Sequence, residues 1–137
     1  MQAEYKINHP ISVDQFVMLL EHSSLARRRP IEDRACLQGM LDHANLTITA
    51  WDNNKLIGIA RCVTDFHYAC YLSDLAVDEA YQQQGIGKQL QVRVQNELNE
   101  KCKLILISAP AANEYYQHIG FNRNERCWVL ERHQTIT

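Results

Sequence analysis

No apolar run in this sequence approaches the roughly 20 residues that a membrane-spanning helix needs. The first ten residues, MQAEYKINHP, lack the basic and then apolar pattern of a secretion signal. A cytoplasmic protein with no membrane partner is expected. Positive charge is not in excess either: 14 Lys and Arg stand against 16 Asp and Glu, a formal net charge of -2. That excludes broad electrostatic binding to nucleic acid or to an anionic bilayer, so any bound anion must be held locally. The five cysteines, Cys36, Cys62, Cys70, Cys102 and Cys127, are an odd number, widely spaced, with no C-x-x-C and no Cys/His cluster of metal-ligand spacing. Reduced, mostly buried thiols and no metal are expected. Linkers, repeats and low-complexity segments are missing too. What remains is 137 residues of ordinary composition, 46% hydrophobic and 22% charged, about one domain's worth. A single domain over residues 1–137 is expected.

Local patterns give an order of elements. EYKI reads as a short first strand. ISVDQFVMLL opens a helix: Ser12 caps it, Gln15 completes a capping box, and Ile11 can staple onto Phe16. A basic segment, Arg27, Arg28 and Arg29, ends at Pro30, after which Leu37, Met40, Leu41 and Ala44 mark the buried stripe of a second helix. LTITAWD and KLIGIARCVTD read as strands joined at Asn53-Asn54, a pair that tolerates positive φ, and YACYLSDLAV follows as a third member of an antiparallel meander. From Gly85, Ile86, Leu90, Val94 and Leu98 form the apolar stripe of a third helix. KLILIS reads as a strand covered on both faces. Pro110 then opens a fourth helix that Gly120 closes, and CWVLE makes a last strand.

The stretch AYQQQGIGKQLQ places Gly85 and Gly87 where the third helix begins, directly after a strand ending at Val77. A helix front presents unpaired amides that attract phosphate through hydrogen bonds and the helix dipole, and bare glycines let a diphosphate touch the backbone. Lys88 adds charge at the rim. Two common phosphate motifs fail here. A P-loop needs glycine at position 82 and Ser or Thr after the lysine, where the chain has Gln82 and Gln89. The dinucleotide fingerprint needs a small residue at position 90, where it has Leu90.

The run Gln82-Gln83-Gln84-Gly85-Ile86-Gly87, after Leu75-Ala76-Val77, resembles the coenzyme A loop of the GNAT superfamily of N-acetyltransferases. NEYYQHIGF, Asn113 to Phe121, resembles that family's later motif, a helix tyrosine followed by Gly-Phe. The resemblance implies the GNAT fold, an α/β (α+β) architecture with a mixed, mostly antiparallel central sheet of about six to seven strands flanked by about four helices. It implies acetyl-CoA as co-substrate, no metal, and direct transfer of the acetyl group to a primary amine on a small molecule or peptide. Family members often pair as homodimers. Leu75, Ala76 and Val77 would offer backbone groups to the pantetheine arm, and one N–H there could serve as an oxyanion donor. Gln82, Gln83, Gln84, Gly85, Ile86, Gly87 and Lys88 would hold the diphosphate. Many members carry Asn seven residues before the helix tyrosine; this chain has Ala109, and Asn113 is the candidate replacement.

Attack by an amine on acetyl-CoA expels a thiolate, and Tyr116, at the family's tyrosine position, is the candidate acid that protonates it. Tyr115 points about 100° away on a helix and is expected in the core. An amine like that of lysine is only about 0.04% neutral at pH 7, a penalty of roughly 4.6 kcal/mol. Asp74 is the candidate to remove its proton, with Glu79 and His67 as further options; His118 projects from nearly the opposite helix face to Tyr116. Arg27, Arg28 and Arg29 fall where the family shapes its acceptor site, which suggests an anionic group on the acceptor, although a solvated charge run is the commoner reading. Two rival functions remain. One is a non-catalytic acyl-CoA-binding or regulatory module, the other an acyl carrier using Cys62 or Cys70.

Overall fold

The computed structural model describes residues 2–137. The chain divides into two compact units, the first ending at Ile107 and the second Ser108–Thr137.

In the first unit, β1 (Glu4–Ile7), β2 (Leu46–Asp52), β3 (Lys55–Thr64), β4 (Ala69–Val77) and β5 (Lys103–Leu106) form one sheet in chain order. The first three pairings are antiparallel, β2–β3 and β3–β4 as the meander predicts, and β4 pairs β5 in parallel. Asn53 takes φ 54° at the β2–β3 turn, the left-handed geometry that asparagine tolerates. The β3–β4 loop is fastened by Asp65, whose carboxylate accepts from the N–H groups of His67, Tyr68 and Ala69 at 2.8–3.1 Å. Those three bonds hold its carboxyl down at about 2.

Three helices cover this sheet. α1 (Val13–Glu21) starts with the expected box: Ser12 accepts from the Gln15 N–H, and the Gln15 side chain accepts from the Ser12 N–H at 2.9 Å. α2 (Arg34–His43) is capped by Asp33, and α3 spans Ile86–Asn96. Phe16, Leu20 and Leu37 from α1 and α2 pack on Trp51, Ile59 and Ala76. Ile86, Leu90 and Val94 from α3 pack with Ile48, Ala60, Cys62 and Leu72. The sheet is thus the middle layer, with α3 on one face and α1 and α2 on the other.

One irregularity sets the geometry of the site. Arg61 pairs Asp74 but Cys62 pairs Leu72, so Ser73 is an extra residue in β4. A bulge reverses the inside–outside alternation of the strand that carries it. Cys70 and Leu72 therefore face the α3 core, whereas Ala76, although even-numbered like them, packs with α1 and α2.

The expected six to seven strands are five. CWVLE does not form a strand, and Trp128, Val129 and Leu130 are exposed; apolar, β-branched composition suits a strand only where a neighbour supplies the ladder. KLILIS is not covered on both faces: Lys103 and Ile105 are exposed, Leu104 and Leu106 half-buried. The basic segment is a 3-10 turn, Ser24–Arg28.

In the second unit the fourth helix is interrupted. Pro110–Ala112 makes a 3-10 turn, and α4 is the single turn Tyr115–His118, followed by Gly120 at φ 105°. Among the described residues no helix is long and apolar enough to cross a membrane.

Candidate active site

The geometry starts where β4 loses its neighbour. The β4–β5 ladder ends at Leu72↔Leu106, whereas β3–β4 pairing continues to Gly58↔Val77. From Ser73 to Val77 one edge of β4 has no strand beside it, a stretch of about 16 Å at 3.3 Å per residue. The Asp78 N–H donates to the Ile57 carbonyl at 2.9 Å, which fixes the phase of the ladder. Two residues earlier, Ala76 also turns its main-chain groups toward β3, and the alternate residues, Leu75 and Val77, turn theirs to the open edge. The Val77 carbonyl there accepts from the Gln82 side chain at 3.2 Å. Of the three residues nominated on this strand, Leu75 and Val77 turn main-chain groups to the open edge, and Ala76 turns its own toward β3.

The strand leads through Glu79–Tyr81, a 3-10 turn capped by Asp78, into the front of α3. Gln83 and Gly85 take φ of 64° and 80°, bending the loop so that the helix amides face outward. Unlike α1 and α2, α3 has no side-chain cap: Gly85 precedes it, and the first helical bond is from Gln89 to the Gly85 carbonyl at 2.9 Å. The amides of Ile86, Gly87 and Lys88 therefore have no partner within the helix. A Cβ placed on Gly85 would meet nothing within 4 Å, and one on Gly87 only the Val77 side chain at 3.7 Å. Gln82, Gln83, Gln84 and Lys88 are exposed around this opening.

Beside the bulge is a buried charge cluster that reading the sequence did not find. Asp74 is wholly buried; one carboxylate oxygen accepts from Arg29 Nε and the other from Arg61 Nε, both at 2.5 Å. Arg29 also donates to the Ser73 carbonyl at 2.7 Å, and Arg61 to the Ser73 hydroxyl at 3.0 Å and the Met40 carbonyl at 3.1 Å. The signal was Arg61 itself, a charge inside the apolar run LIGIARCV, which a buried strand tolerates only with a partner. Arg29 is thereby separated from Arg27 and Arg28, which are exposed. Of the other nominated bases, Glu79 is exposed just past β4. His67 lies in the β3–β4 loop at the far end of the strand, its Nδ1 3.1 Å from Asn99 Nδ2.

In the second unit Tyr116 is half-buried, its ring edge-on to Tyr115 at 5.3 Å and to Phe121 at 5.5 Å. Burial, with a smaller contribution from Tyr115, raises its phenol above the ordinary tyrosine value. The hydroxyl stays protonated at neutral pH. Tyr115, expected in the core, is the more exposed of the two, because the broken helix leaves it on the outer side of a single turn. Asn113 is exposed and its side-chain oxygen accepts from the Ser108 hydroxyl at 2.7 Å. Cys62 and Cys70 are wholly buried, out of reach of a bulky acyl donor.

A separate cleft of about 510 Å³ lies between α1 and the β2–β3 turn, lined by Met18, His22, Asp52, Lys55 and Asp78 among others. It contains none of the nominated residues.

Comparison with known proteins decides the family. The profile of the Acetyltransferase (GNAT) domain matches residues 25–129. The chain belongs to the GNAT acetyltransferase family. An uncharacterized ycf52-like N-acetyltransferase of Prochlorococcus marinus is 31% identical over 110 residues, covering 76% of this chain and 56% of that protein. The chain spans about half the length of the curated relatives it matches. Among solved structures, a probable acetyltransferase of Staphylococcus aureus superposes with a TM-score of 0.76 at 21% identity, covering 95% of this chain and all of that one. An aminoglycoside N-acetyltransferase in complex with CoA superposes at 0.69 with 20% identity, covering 98% of each chain. At these identities the solved structures establish a shared GNAT fold, here with five strands, and one of them binds CoA.

Proposed function

We propose that this GNAT domain transfers the acetyl group of acetyl-CoA directly to a primary amine. One observation carries the reading: the open edge of β4 leads, within one loop, to a helix front whose amides are uncapped and faced by bare glycine. A diphosphate suits the amides of Ile86, Gly87 and Lys88, with the Gln82–Gln84 backbone and the Lys88 ammonium around it. An extended arm bearing amides suits the outward N–H and C=O groups of Leu75 and Val77, and its thioester then lies toward Ser73. The neutral amine attacks the thioester carbonyl, forming the C–N bond. A main-chain N–H on the open edge takes the developing oxyanion. The tetrahedral intermediate loses its ammonium proton to water as the C–S bond breaks, and the thiolate takes the phenolic proton of Tyr116, assigned here through its place in the family motif, whose phenolate is then reprotonated from water.

In this reading Asp74 is a positioning residue. Buried, with a guanidinium on each oxygen, it ties the Ser24–Arg28 turn and β3 to the bulge in β4 instead of accepting a proton. Asn113 is assigned to the cofactor only through its place in the family motif.

Thiol release from acetyl-CoA with a panel of amines tests the reading. The wild-type chain should release CoA thiol, and Tyr116→Phe should lower kcat about 10²-fold or more with CoA affinity by calorimetry unchanged. Binding without release on any amine, together with a silent Tyr116→Phe, points to the non-catalytic CoA-binding module.

A further inference from the structure

We infer that Gln91, in the second turn of α3, accepts a hydrogen bond from the pantetheine arm of the cofactor; this deepens the acetyltransferase reading above and rests on it. Gln91 is 4% exposed, and among the described residues its Oε1 is the one buried side-chain oxygen or nitrogen that finds no hydrogen-bond partner. Its Nε2 donates to the Gly87 carbonyl at 3.2 Å. That bond settles which end of the amide is which, since only the NH2 group can face a carbonyl, and it leaves the oxygen on the other branch. A stranded buried acceptor is costly and calls for an explanation. A donor that arrives with a ligand supplies one.

Position selects the ligand. α3 packs on β2, β3 and β4, and contacts tell its two flanks apart. Arg93 lies over the Tyr5 ring of β1 at 4.3 Å, and a Cβ on Gly87 would meet Val77 of β4 at 3.7 Å. At about 100° per residue, Gln91 lies about 40° from Gly87 and about 160° from Arg93 around the helix. It therefore belongs to the β4 flank, where the strand edge is open. Because β4 and β5 are parallel, the helix that joins them runs back along β4. Four residues carry it about 6 Å beyond Gly87, which is roughly the distance from Val77 to Leu75 along the strand. The side chains of Leu75 and Val77 pack into the same core as α3. Gln91 thus stands beside the stretch whose main chain faces the open edge, one helical turn past the amides assigned to the diphosphate. An arm running from that diphosphate along the edge carries a hydroxyl and amide N–H groups, and Oε1 is an acceptor for them. Backbone pairing alone admits slippage along a strand edge. A side-chain acceptor at a fixed level sets how far the thioester advances toward Ser73.

Calorimetry with CoA and with ADP, which has the diphosphate and no arm, tests the inference on the wild-type chain and on Gln91→Leu, alongside melting curves of both proteins without ligand. In the variant the Gly87 carbonyl keeps its helical bond and the stranded oxygen is gone. The ligand-free melting temperature should therefore stay level or rise by a few degrees. CoA should bind about tenfold more weakly, with KM for acetyl-CoA raised to match, while ADP affinity stays within about twofold of wild type. Unchanged CoA affinity overturns the inference and leaves the acetyltransferase reading intact. So does a lower melting temperature with CoA and ADP weakened alike, which would make Gln91 a brace for the front of α3. A wild-type chain that binds no CoA overturns both.

Discussion

Replacing Asp74 by alanine separates a carboxylate that takes a proton from one that holds two arginines. The substitution removes two charge-assisted hydrogen bonds, each worth about 1.5–3 kcal/mol. It also leaves Arg61, whose side chain is 7% exposed, without its counter-ion. Breaking a buried pair from one side costs about 3–5 kcal/mol. The Arg29 side chain, 20% exposed, can turn to water and recover part of that, so the lower end, about 3 kcal/mol, is expected. Total stability for a domain is about 5–15 kcal/mol, so the variant folds but melts roughly 10 °C lower and unfolds at about 1–2 M less urea. Arg61→Ala should rescue part of the loss, since the double variant no longer buries an unpaired guanidinium. Thiol release per folded molecule, measured well below the melting point, should then stay within about tenfold of wild type. A variant within about 1 kcal/mol of wild-type stability whose kcat has nonetheless collapsed would refute this reasoning and restore Asp74 as the proton acceptor.

Three further outcomes follow from the geometry. Gly85→Ala places a methyl group at φ 80° in open space, so its cost is conformational, about 1–2 kcal/mol, read as a lower melting temperature. Gly87→Ala meets only an ordinary contact with Val77 and should keep or slightly raise the melting temperature, yet weaken CoA binding about tenfold or more in calorimetry by standing in front of the amides; unweakened binding argues against a diphosphate there. Asp65 has its folded value lowered to about 2, so its contribution is present above the unfolded carboxylate value near 3.9 and lost as pH falls toward 2. Melting curves at pH 5, 3 and 2 should show a shallower acid loss for Asp65→Asn than for wild type.

Features carried by one or two adjacent residues were legible in the sequence. The Ser12–Gln15 box, the left-handed Asn53 and the glycines at the front of α3 are local chemistry, and the structure places each where its spacing predicts. The bulge was not legible, because Ser73 looks like any other residue of an alternating strand until its partners on β3 are known. The partners of Asp74 were hidden for that reason: simple alternation puts it on the α3 face with Leu72, and only the change of phase brings it to Arg61. The open side of β5 was hidden likewise, since a short apolar run reads the same whether a neighbour covers it or not. CWVLE shows the converse, strong local preference with no ladder to join.

The extra residue at Ser73 also constrains how this chain can be recombined. Its β4 behaves as two half-strands in opposite phase, spliced at one position. Sliding the pairing so that Ser73 takes the place opposite Arg61 would send Asp74 into an oily layer and turn the outward amides of Leu75 and Val77 back toward β3, whereas deleting Ser73 would leave both in their present phase. Transplanting acceptor loops between relatives should therefore carry the whole segment from Tyr71 to Gly87 as a cassette.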